Sequence, residues 1–191
     1  MEKIDRLGWA AGLSLVSYGL RIGVRANDRE ALERAVSRLP PGWKPAASPR
    51  VDRLYSILGG SGATRANARR YNIVYSGAAR IARTLDADQA LDAFESDLRL
   101  HVAEAARGRV FVHAGVVGWR GRAIVLPGRS FSGKSRLVAA LLRAGASYYS
   151  DEYAVLDGHG RVHPFPAPLS IRGAAPGQRP LKCPVEALPG P

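Results

Sequence analysis

The 191 residues predict an α/β chain in two parts, a small N-terminal α/β lobe over residues 1–84 and a larger core over 85–175, with a tail to residue 191. Three observations lead to that class. Segments with strand-like alternation are interleaved with segments of helical period. Glycine and proline clusters punctuate them. A single stretch, GRSFSGKSRLVAALLRAG from Gly128 to Gly145, joins a glycine-bounded loop to an amphipathic helix.

Taken in order, SYGLRIGVRAN alternates Leu20, Ile22 and Val24 with Arg21, Gly23 and Arg25, the period of a strand with one wet face. NDREALERAVSRLPPGW reads as a helix capped by Asn27 or Asp28 and stopped by Pro40-Pro41-Gly42. DRLYSILGG and RYNIVYSGAARIARTL read as further strands, and GGSGATRAN between them as a connector without the Lys-Ser ending of a phosphate loop. From Asp86 to Arg107 the spacing predicts the longest helix, with Leu91, Phe94, Leu98, Val102 and Ala105 on one face and Gly108 at its end. VFVHAGVVGW, a turn at Arg120-Gly121 and RAIVLPG form an apolar hairpin, and ASYYSDEYAVLD reads as a strand after the Gly128–Gly145 stretch. The tail from Gly173 is rich in Pro and Gly and reads as extended or loose.

Composition narrows the classes. Apolar residues make up 46% and charged residues 23%, the balance of a globular chain. No apolar run approaches the ~20 residues that span a bilayer, and Glu2, Gly8, Ser14 and Ser17 interrupt any signal-peptide pattern. The one cysteine, Cys183, forms no internal disulfide, which fits a reducing cytoplasm. The net charge of +12 is almost all arginine, scattered and without aromatic interleaving, which reads as a compositional preference for arginine rather than a nucleic-acid surface; a basic surface can equally draw in an acidic substrate or phosphate.

Gly128, Gly133, Lys134 and Ser135 satisfy G-x-x-x-x-G-K-[ST]. From this chain's own residue frequencies about 0.004 accidental matches are expected, so the match has meaning. Glycines let successive backbone N–H groups point at phosphate oxygens, and the following helix adds its positive end. Gly128, Arg129, Ser130, Phe131, Ser132, Gly133, Lys134, Ser135 and Arg136 are therefore the candidate nucleotide-binding residues, with Lys134 on the β- and γ-phosphates and Ser135 on Mg²⁺. Parallel strands on either side of the helix bring their carboxyl ends to one edge, which places Asp151 and Glu152 beside the loop as candidate metal ligands and proton acceptor. His113, in the strand before the loop strand, is either a third site residue or a satisfied edge histidine. His159 and His163 read as surface residues.

VHAGVV, GRSFSGKS, SDE and GRVHPFPAPLSIRG, in that order, resemble the catalytic domain of HPr kinase/phosphorylase over about residues 110–175. The likeness is to the smaller HPr-kinase-like proteins, including kinases that modify ribosomally made peptides such as lasso peptides. The resemblance implies a P-loop core of the HPr-kinase/PEP-carboxykinase-like type. It also implies ATP and Mg²⁺ as cofactors, Asp151 as catalytic base toward a serine hydroxyl and His113 near it. Lys134 and Ser135 would lie on the phosphates and metal, and a homo-oligomer is implied. Glu152 stands where the family has a second Asp, and Ser170 where it has a Glu. The expected partner is a peptide or protein carrying an acceptor serine. A small-molecule alcohol kinase and a non-catalytic nucleotide-binding module are the alternatives.

Overall fold

A computed structural model describes residues 3–60, 71–129, 132–171 and 181–189. It shows a mixed α/β chain that divides into two compact units, Met1–Arg107 and Gly108–Pro191.

In the first unit, strands β1 (Ala11–Ser17), β2 (Leu20–Ala26), β3 (Lys44–Pro45), β4 (Arg53–Leu58), β5 (Asn72–Ser76) and β6 (Ala79–Thr84) form one sheet in the order β3-β1-β2-β4-β5-β6. The β2 alternation holds: Leu20, Ile22, Val24 and Ala26 are buried and Arg21 is exposed. β1 is a strand that the sequence reading did not assign. It pairs with β2 through a two-residue turn whose Tyr18 and Gly19 both have positive φ (47° and 80°), the mirror-image geometry that matches strand twist. Helix α1 (Arg29–Val36) begins at Asp28, whose carboxylate accepts from Ala31 N at 2.7 Å, and it connects β2 to the parallel strand β4. The connector expected at GGSGATRAN lies mostly outside the described residues.

Helix α2 (Ala87–Ala105) corrects the division at residue 84. Its buried stripe of Leu91, Phe94, Leu98 and Val102 packs on β5 and β6, so it belongs to the first unit and not to the core that follows. Phe94 meets the Tyr55 ring edge-on at 5.2 Å, and the Tyr55 hydroxyl donates to Asp97 at 2.8 Å. Arg38 ties α1 to α2 through Asp92 and Glu95, each at 2.8 Å.

The second unit is organised by one long strand, β7 (Arg109–Trp119). β8 (Arg122–Pro127) pairs antiparallel along one side of it through a turn at Arg120 and Gly121, both again at positive φ. Along the other side run β9 (Ser147–Ser150) and β10 (Tyr153–Asp157), also antiparallel, with β11 (Val162–His163) beyond β10. Because β8 and β9 are both antiparallel to β7, they run parallel to each other with β7 between them. The expected strand over residues 146–157 is thus two strands separated by Asp151 and Glu152. The break has a local cause: the buried Ser150 hydroxyl accepts from Glu152 N at 3.1 Å and Tyr153 N at 3.0 Å.

Helix α3 (Lys134–Arg143) links β8 to β9. It ends as expected at Gly145, where Gly145 N bonds to Leu142 O and Ala146 N to Leu141 O, both at 3.0 Å. Val138 of α3 packs with Val117, Ala146, Tyr148 and Leu169 in a core cluster. The described part of the tail takes the extended of the two expected forms and is packed. β13 (Leu181–Cys183) pairs with β12 (Leu169–Ile171), Leu188 packs on the same cluster, and Pro189 O accepts from Tyr148 N at 2.7 Å.

α3 approaches β7 at Gly115, where a β-carbon would stand 2.7 Å from Val138 Cγ2. Valine has little rotamer freedom in a helix, so the helix itself would have to move. Gly115→Ala is expected to destabilise the chain by about 1–3 kcal/mol in denaturant unfolding, and Val138→Ala added to it to recover part of the loss. Equal stability of Gly115→Ala and wild type contradicts this packing.

Candidate functional site

The site is built at the carboxyl ends of β8 and β9. Pro127 ends β8, and Gly128 follows in close contact with Ser132, whose Oγ would stand 2.7 Å from a β-carbon there and would have to turn aside. Gly133, at φ 91°, is the N-cap of α3, and no side chain caps the helix. The first backbone N–H groups of a helix have no partner within it, and α3 begins directly after the glycine-bounded loop. Ser130 and Phe131, two of the expected binding residues, lie outside the described residues. Arg129, Ser132 and Arg136 are exposed, with Ser132 N bonded back to Arg129 O at 3.2 Å.

Lys134 is half-buried, and its ammonium donates to Gly128 O and Arg129 O, both at 2.8 Å. The cation is thereby held over its own loop rather than extended into solvent. Ser135, one residue along α3, donates its hydroxyl to Asp151 Oδ2 at 3.3 Å. This joins the start of α3 to the strand break after β9, two segments the sequence separates by fifteen intervening residues.

Asp151 receives two further donors that the sequence did not suggest. Ser170 N bonds to Oδ2 at 3.0 Å, and the Tyr148 hydroxyl to Oδ1 at 3.2 Å. Ser170 therefore contributes its backbone at the position where the resemblance leads one to expect a carboxylate. Glu152 shares the break: its main chain is fixed by Ser150 Oγ and by Ala114 N, which donates to Glu152 O at 3.1 Å. Its side chain is half-buried.

His113 lies on β7 two residues before Gly115, and residues two apart on a strand share a face. It therefore faces the α3 side of the sheet, as the loop and Asp151 do. Its ring packs edge-on to Tyr153 across the strand pair at 6.1 Å, within a group that includes Phe111 and Phe165. That contact, and not one to Asp151, is what positions it in this structure. His159 is exposed and His163 pairs with Asp157 at 2.8 Å on the β10–β11 hairpin, in keeping with their reading as surface residues.

Among the described residues no group of three or more His, Cys, Asp or Glu side chains could hold a metal by itself. Magnesium in nucleotide sites takes one or two protein oxygens and completes its octahedron with phosphate oxygens and waters. A serine hydroxyl touching a carboxylate at the foot of the Gly128–Ser135 loop fits that demand. One cavity, of about 270 Å³, lies in the first unit between α1, α2 and the end of β4, and none of the candidate site residues lines it.

No protein-family model, curated protein or solved structure matches the chain.

Burial and the charge of Asp151 push the Tyr148 phenol well above its ordinary pKa of about 10. A raised folded-state value means stabilisation that is complete below the unfolded pKa and lost as pH climbs toward the folded one. Tyr148→Phe should leave the phenols that ionise near pH 10 in the folded protein unchanged at 295 nm. It should remove one from the step that accompanies alkaline unfolding. Loss of a phenol from the pH 10 transition would place Tyr148 in solvent.

Proposed function

We propose that this protein is a nucleotide- and Mg²⁺-dependent kinase of the HPr-kinase-like kind, moving the γ-phosphate of ATP to a serine hydroxyl of a peptide or protein. The observation that carries the reading is the 3.3 Å contact between Ser135 Oγ and Asp151 Oδ2. A phosphate-loop serine beside a carboxylate at the end of a parallel strand is the arrangement that binds a metal-bound triphosphate. The loop motif, Lys134 above it and the scattered arginine charge support the same ligand.

Each residue then has a task in the proposed reaction. The loop amides and Lys134 neutralise the phosphate oxygens, and Lys134 exchanges its carbonyl partners for them. Ser135 and Asp151 would hold the Mg²⁺, with Glu152 beside them, and the metal would supply positive charge against the phosphate oxygens. Asp151 also orients the acceptor hydroxyl and takes its proton as the new P–O bond to serine forms and the bond to the β-phosphate oxygen breaks, giving ADP and phosphoserine. His113, on the same sheet face, lines the acceptor side.

A second reading has its own observation. Both Asp151 oxygens already have donors, from Ser135, Ser170 and Tyr148, which suits a fixed anchor as well as a base. On that reading the chain binds nucleotide for regulation and transfers nothing.

The two readings part in one experiment. γ-Labelled ATP is incubated with the wild type, with Lys134→Ala and with Asp151→Asn in an extract containing the acceptor, and labelled phosphoserine is counted. Lys134→Ala is expected to weaken nucleotide binding by about 100-fold or more. Asp151→Asn should keep metal-free nucleotide binding within about threefold and lower transfer by about 100-fold or more. Wild-type transfer by Asp151→Asn overturns its role. Nucleotide bound by the wild type with no labelled serine supports the regulatory module.

A further inference from the structure

Asp151 takes its orientation in part from groups outside the Gly128–Ser135 loop. An aspartate side chain turns about two bonds, so the contact of Asp151 with Ser135 depends on what holds the carboxylate. Donors approach both oxygens here: Ser135 and Ser170 at Oδ2, Tyr148 at Oδ1. Of these, the Tyr148 hydroxyl cannot follow the carboxylate if it turns, and neither can the main-chain N–H of Ser170. The Tyr148 ring is 2% exposed and packed among Val117, Val138, Ala146 and Leu169, and its hydroxyl is anchored to Ala167 O at 2.7 Å.

The bond to Ala167 would by itself satisfy a buried phenol. The further approach to Asp151 at 3.2 Å is not needed to bury the ring, and it shares one proton between two acceptors. Ala167, Leu169 and Phe165 are themselves buried, so the chain segment that carries both the Ala167 carbonyl and the Ser170 N–H is a fixed one. Tyr148 and that segment hold the carboxylate at both of its oxygens, Oδ1 and Oδ2.

We propose that Tyr148 is a positioning residue that holds Asp151 in the orientation in which it and Ser135 share a metal ion. This inference rests on the reading of Ser135 and Asp151 as the metal site of a bound nucleotide. Hydrogen bonds to a ligating carboxylate from outside the first ring of ligands commonly contribute about 10- to 100-fold in metal affinity.

The test uses Mn²⁺, visible by electron paramagnetic resonance, with ADP on the full chain. Four proteins are compared: wild type, Tyr148→Phe, Asp151→Ala and the double variant. Tyr148→Phe keeps the ring in its cluster and removes only the hydroxyl. It is expected to weaken Mn²⁺ binding to the ADP complex about tenfold while leaving metal-free ADP affinity unchanged. In the Asp151→Ala background it should have no further effect, because the coupling runs through that carboxylate. Wild-type Mn²⁺ affinity in Tyr148→Phe overturns the inference. So does an equal loss in the Asp151→Ala background, or a loss of metal-free ADP binding, since either marks general loosening. A wild type that binds ADP but no Mn²⁺ overturns the metal site itself, and the inference with it.

Discussion

The closeness of α3 to β7 is the constraint on which the second unit depends. It exists because position 115 has no side chain, which lets Val138 settle directly on the strand. The same contact fixes where α3 begins, and a β-carbon on Gly115 would stand 3.8 Å from that of Lys134. Lys134 and Ser135 thus take their places from helix packing rather than from the loop alone. The cluster under the helix continues through Tyr148 and Leu169 to β12, so one packed core carries both the loop side and the carboxylate side of the site.

The second element is an interruption. β9 and β10 could have been one strand along β7, yet Ser150 turns its hydroxyl onto the two following N–H groups and the ladder shifts register beside it. Asp151 is released from strand geometry at the edge where β8 delivers the loop. A continuous strand would commit its side chain to the face chosen by the pleat. The break lets it reach Ser135, Ser170 N and the Tyr148 hydroxyl together.

Much of this was legible in the sequence, and the failures are instructive. The β7–β8 hairpin, the loop, the cap at Gly145 and the shared edge of β8 and β9 follow from local rules of turn chemistry, period and connection. The stripe on α2 was also readable, but a stripe states that a helix is buried and not against which sheet; α2 packs on β5 and β6. β1 went unassigned because AGLSLVS mixes small and apolar residues with little alternation. Tyr148 and the Ser170 backbone carry no spacing signal at all. A tyrosine in SYY reads as a strand residue, and a main-chain N–H has no letter in the sequence. They become visible only when the segment ending at Ile171 is folded back onto Asp151.

The central claim is that this packing creates a site for the phosphates of a nucleotide, and the most direct measurement is calorimetric titration of the wild-type chain with ATP in Mg²⁺. The account predicts saturable one-to-one binding that inorganic tripolyphosphate displaces and adenosine does not, since the named donors all address phosphate. ATP binding that adenosine displaces and tripolyphosphate leaves intact, or no binding of ATP at millimolar concentration, would contradict it.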